Sequence, residues 1–120
     1  MTYQVSTGNF FDAAGHFVGK CYAGHGPGVN TVADAALPNV GPIPPGCVFR
    51  VGPPTDHIGP LTFALTLVEG NEEGRSSFYI HGDNAAMNHS ASEGCIVAAH
   101  ETRAKIAELL SAGDTELETV

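Results

Sequence analysis

Glycine and proline interrupt this chain so often that it has to fold from short pieces. Fifteen glycines and eight prolines fall among 120 residues. Each glycine loosens the backbone, and each proline removes an amide hydrogen that regular structure uses. Usage this far above average predicts many turns between short strands. Residues 2–6 alternate as a first strand, and Thr7-Gly8-Asn9 supplies a turn. Residues 10–22 suggest a hairpin or meander. Residues 47–51, 61–68, 76–80 and 94–97 read as further strands, and Gly52-Pro53-Pro54-Thr55-Asp56 is expected to end the first of these. Residues 23–46 are the least regular, with one short helical turn expected over 31–37; a loop this long in a compact domain is usually mobile or functional.

From Ala98 the period changes. Ala99, Thr102, Ile106, Leu109 and Leu110 share one helical face, and Ala112-Gly113 closes that helix. Residues 114–120, with Asp114, Glu116 and Glu118, read as a solvated, frayed acidic tail. The expected architecture is a single, mostly β domain over residues 1–113 with one C-terminal helix.

Charge and hydropathy narrow the function classes. Hydrophobic residues make up 42% and charged residues 15%, which is too apolar for a disordered chain. Five Lys and Arg against thirteen Asp and Glu leave a formal charge of −8, so a general affinity for nucleic acid or anionic lipid is not expected. No apolar run approaches the length of a membrane span, and the first residues lack the basic start and apolar stretch of a signal peptide. Export is therefore expected to need another route.

There are three cysteines and no CxxC pair. Cys21 and Cys47 sit in strand-like runs and read as small buried residues, with a disulfide between them left open. Cys95 has different neighbours. His81-Gly82 ends one strand, a polar loop follows, and Ser92-Glu93-Gly94-Cys95-Ile96 enters the next. A thiol nucleophile needs a base within hydrogen-bond reach, usually His, and backbone N–H groups aimed at the developing oxyanion. Gly94 permits a tight turn and a close approach to substrate. Two adjacent strands joined by one loop can set His81 beside Cys95, and Ser92 can orient the imidazole. The residues alone allow three readings: an acyl-transfer site, a core thiol near a polar strand end, or a metal site from His81, His89, Cys95 and His100. The last lacks compact zinc spacing.

The run His81-Gly82 … Ser92-Glu93-Gly94-Cys95-Ile96 resembles the signature of the L,D-transpeptidase catalytic domain, in which a histidine precedes a Ser-x-Gly-Cys turn by a comparable gap. Val40-Gly41-Pro42-Ile43-Pro44-Pro45-Gly46 looks like the Pro/Gly segment that this family places before a core strand. With Lys20-Cys21-Tyr22-Ala23-Gly24, the likeness covers about residues 3–110 and is nearest to a short subgroup that includes type VI secretion effectors. It implies a β-sandwich or barrel-like fold and peptidoglycan tetrapeptide stems as substrate, with no cofactor and no metal. Cys95 would be the nucleophile, His81 the general base and acid, Ser92 its orienter, and the N–H groups of Gly94 and Cys95 the oxyanion donors.

Tyr22, Gly82, Asp83, Asn84, Asn88 and His89 are the candidate substrate-binding residues, whereas Asn30 is assigned to turn chemistry. The family's setting implies action in the periplasm or cell wall after delivery by a secretion system or lysis, with an immunity protein or a secretion-system carrier as protein partners. Two positions depart from the family pattern. Glu93 replaces a common His and adds negative charge near the thiol, which disfavours the thiolate. Val97 stands where a polar residue, often Arg or Asn, is common, and removes a cation that can recognise a carboxylate. These departures keep a second class open: a non-catalytic cell-wall binding module with the same fold.

Overall fold

The computed structural model describes residues 1–24, 28–35, 37, 41–75, 78–82 and 94–120. These form a mostly β protein with one nearly closed, barrel-like sheet and one α-helix. The strands are β1 (Thr2–Gln4), β2 (Asn9–Phe11), β3 (Phe17–Lys20), β4 (Tyr22–Ala23), β5 (Val48–Thr55), β6 (Thr62–Glu69), β7 (Phe78–His81), β8 (Ile96–Val97) and β9 (Glu116–Thr119). The helix α1 spans His100–Ser111, and a 3-10 turn covers Val32–Asp34.

Sheet order explains the closure. The strands run β3-β2-β1-β9-β5-β6-β7-β8-β4, so the two edges are β3 and β4. Only Cys21 separates those two in the chain. One bent stretch therefore pairs with β2 at one end and β8 at the other, and the sheet has to curl round to meet itself, which shortens the exposed edges.

Alternation along the strands fills the interior. Tyr3, Phe10, Phe49, Phe63, Ile80, Ile96 and Leu117 are fully buried in one apolar cluster. Each such side chain contributes about 1.5–3 kcal/mol from burial alone. Phe49 and Phe78 meet edge-on, with ring centroids 6.0 Å apart. The helix adds Thr102 and Ile106, both buried, and packs against β3 and β5. A Cβ at Gly19 would collide with the Thr102 side chain, so this glycine sets how closely α1 lies on β3.

Three expectations change. Residues 114–120 are not a frayed tail, because β9 occupies the middle of the sheet, parallel to β1 and antiparallel to β5. Glu116 and Glu118 face solvent while Leu117 and Thr119 are buried, the period-two pattern of a strand with one wet face. Second, β5 does not end at Gly52. Its pairing shifts between Val51 and Pro54, where Gly52 and Pro53 bulge opposite Ala64, and a bulge tolerates a residue with no N–H. Third, Ala99 is the exposed N-cap of α1 and lies outside its buried face.

Candidate active site

His81 and Cys95 are positioned by β7 and β8. These strands pair in parallel, with Ile80 opposite Ile96 and His81 opposite Val97. Residues 82–95 are long enough for the crossover that a parallel pair requires. On the other side of β8, Tyr22 is opposite Val97 and Ala23 opposite Ile96. Two rows result. Ala23, Ile96 and Ile80 belong to the core cluster. Tyr22, Val97 and His81 form the neighbouring row, and all three are buried without joining that cluster. Cys95 stands at the bend two residues before Val97 and is partly accessible, unlike the other two thiols.

The imidazole of His81 has a defined hydrogen bond. Its Nδ1 lies 2.8 Å from the Gly82 carbonyl oxygen. A carbonyl only accepts, so Nδ1 carries the proton and a neutral ring presents Nε2 as its basic atom. The backbone is tied as well, because Ala98 N–H donates to the His81 carbonyl at 2.9 Å.

Gly94 has φ +129, a conformation side chains rarely adopt, and its Cα faces the Arg75 guanidinium so closely that a Cβ would collide with Nη2. Glycine is thus required here by conformation and by space. Arg75 is itself buried. Its Nη1 donates to the carbonyls of Ala35 at 2.6 Å and Pro42 at 2.8 Å, its Nη2 donates to Gly41 at 3.0 Å, and its Cζ lies 5.1 Å from the centre of the Phe78 ring. Burial lowers the Arg75 pKa from its ordinary value, and the charge of an ionised Cys95 acts in the opposite direction. A second cation approaches from the helix. Arg103 donates through Nε to the Ala98 carbonyl at 3.1 Å and through Nη1 to Pro60, while a Cβ at Gly82 would lie 2.8 Å from its Nη2.

In the sequence the five cations are scattered at Lys20, Arg50, Arg75, Arg103 and Lys105, with no basic stripe. Arg75 lies twenty positions before Cys95 in the chain, and no spacing rule connects them. The one available signal was an arginine beside the strand that carries His81. Val97, where a cation was missed, is buried between Tyr22 and His81 in register, and the positive charge near the thiol comes from Arg75.

The remaining expectations divide. Gly82 adjoins His81, and Tyr22 lies in the same row, buried. Ser92, Asp83, Asn84, Asn88, His89 and Glu93 lie outside the described residues. Asn30 is a turn residue: its Oδ1 accepts the Ala23 N–H at 3.1 Å, and its N–H donates to the Ala23 carbonyl at 2.8 Å. Cys21 and Cys47 are free buried thiols; burial pushes Cys21 up to about 12 and also raises Cys47. Among the described residues, no three His, Cys, Asp or Glu side chains gather to hold a metal ion, and no helix is long and apolar enough to cross a membrane.

Compared with protein-family models, with curated proteins and with solved structures, the chain matches none.

Proposed function

We propose that this chain is a cysteine-dependent acyl transferase of the L,D-transpeptidase type, acting on peptidoglycan tetrapeptide stems. The observation that supports the chemistry is the register of β7 against β8, which pairs His81 with Val97, two residues after Cys95. The Nδ1–H bond to Gly82 supports it, because that bond leaves Nε2 as the proton acceptor. The choice of substrate rests on the resemblance of His81-Gly82 and Ser92-x-Gly94-Cys95 to the family signature.

Cys95 Sγ attacks the carbonyl between meso-diaminopimelate and the terminal D-Ala, and His81 takes the thiol proton. The backbone N–H groups of Gly94 and Cys95 receive the oxyanion. As the C–N bond breaks, His81 returns the proton to the amine of D-Ala, and a thioester remains on Cys95. Water, a free D-amino acid or a stem amine then attacks the thioester, His81 accepts the proton of that nucleophile, and the thiol is restored. From the sequence, Ser92 is the candidate orienter of the imidazole, and Gly82, Asp83, Asn84, Asn88 and His89 are the candidate substrate-binding residues. The biological setting is an antibacterial effector delivered to the cell wall by a secretion system, or a phage-type wall enzyme.

The test is mass spectrometry of purified disaccharide-tetrapeptides incubated with wild type and with Cys95→Ala, with and without D-Met. Loss of D-Ala, or its exchange for D-Met, is expected with wild type and not with Cys95→Ala. Unchanged muropeptides with folded, reduced protein would reject this reaction and leave the non-catalytic wall-binding module.

A further inference from the structure

We propose that Arg75 is the positioning residue of the nucleophile: its buried guanidinium seats the Gly94-Cys95 turn against Ala35, Gly41 and Pro42 and holds Cys95 toward its thiolate form. This deepens the function proposed above and rests on Cys95 being the nucleophile. The first support is steric. The guanidinium fills the space where a Gly94 side chain would stand, so the turn bearing the thiol is built against the cation. The second is the placement of its donors. Three N–H bonds run to the carbonyls of Ala35, Gly41 and Pro42, and the ring of Phe78 lies under the guanidinium. A planar fork presents its donors to the three carbonyls in a fixed geometry; an ammonium on a flexible stem is not pre-organised in this way.

The third support is electrostatic. Those three carbonyl partners are neutral dipoles that orient the guanidinium. A fixed positive charge in a partly buried site favours the thiolate over the thiol. Arg75 and Cys95 sense one another's charge. Other charged and titratable groups also face this region: His81 on β7, Tyr22 on β4, and Arg103, which reaches Gly82 from α1. Arg75 joins the turn of the thiol to Ala35, Gly41 and Pro42. It acts through Cys95.

The experiment measures the pH dependence of Cys95 alkylation by iodoacetamide, read peptide by peptide by mass spectrometry. The raised pKa values of Cys21 and Cys47 keep those thiols slow near neutral pH. Arg75→Met is expected to move the Cys95 midpoint up by about one pH unit, with alkylation up to about tenfold slower at pH values below both midpoints. Arg75→Lys is expected to keep the midpoint nearer wild type, although both variants melt at lower temperature. A wild-type midpoint in both variants, with only the melting temperature reduced, would make Arg75 purely structural and overturn the proposal.

His81→Ala supplies an arm that does not depend on Arg75 variants folding. With the imidazole gone, the Cys95 midpoint is expected to stay below the free-cysteine value of about 8.5. A midpoint at or above that value would overturn the proposal. Alkylation needs no peptidoglycan, so failure of the muropeptide reaction and failure of this proposal are separate results.

Discussion

Deleting residues 115–120 is expected to leave a chain that does not fold, although in the sequence these residues read as part of a solvated, frayed acidic tail. In the structure they are the seam of the sheet. Among the described residues β9 alone lies between β1 and β5 in the strand order, so its removal would open the sheet there and leave β3-β2-β1 joined to β5-β6-β7-β8-β4 only through the chain at Cys21. Backbone bonds lie on both sides: Glu118 N–H to Met1 O at 2.9 Å and Val120 N–H to Tyr3 O at 2.9 Å, against Thr119 N–H to Cys47 O at 2.8 Å. The Thr119 hydroxyl donates to Pro44 O at 2.7 Å and accepts from Cys47 N–H at 3.0 Å.

Leu117 alone gives the scale. It is fully buried, and Leu117→Ala is expected to cost about 2–5 kcal/mol. Whole domains have only about 5–15 kcal/mol of stability. Deleting the strand also strands buried carbonyls and amides on β1 and β5 and adds about 1–3 kcal/mol for each unsatisfied group. Circular dichroism melts are the measurement. A cooperative transition at the wild-type temperature in the truncated chain would refute the central placement of β9.

The second large effect concerns His81. His81→Gln is expected to lower the rate of D-Ala release from tetrapeptide stems by about 10²–10⁴-fold, the usual span for a general acid–base group. Gln keeps a side-chain donor for the Gly82 carbonyl but offers no basic nitrogen. The position is buried, so the fold has to be checked by the same melts. Folded His81→Gln protein with wild-type turnover would remove His81 from the proposed mechanism and redirect the search for the base.

Local chemistry was legible in the sequence wherever it depends on near neighbours. The α1 face of Thr102, Ile106, Leu109 and Leu110 follows from a 3.6-residue period. The short strands follow from alternation between glycine and proline breaks, and the 3-10 turn Val32–Asp34 falls inside the segment where a helical turn was expected. His81 and Cys95 stood out because each lies at the end of an apolar run, with Gly at its side.

What stayed hidden depends on partners far along the chain. Glu116 and Glu118 made β9 look like a solvated end, because acidic residues on an outer face resemble acidic residues in a tail; only the pairing with β1 and β5 distinguishes the two. Pro53 and Pro54 looked like a strand end because the bulge that accommodates them exists only against β6. Arg75 looked like one cation among five. Its contacts with Ala35, Gly41, Pro42 and Gly94 come from three separate stretches of chain. The sequence by itself determined the short-strand composition, the single helix and the identity of a histidine and a thiol at strand ends, since these are set by torsional preference and periodicity. Only the tertiary structure decided which strand lies at the centre and which cation packs against Gly94, since long-range pairing and burial leave no periodic trace in the chain.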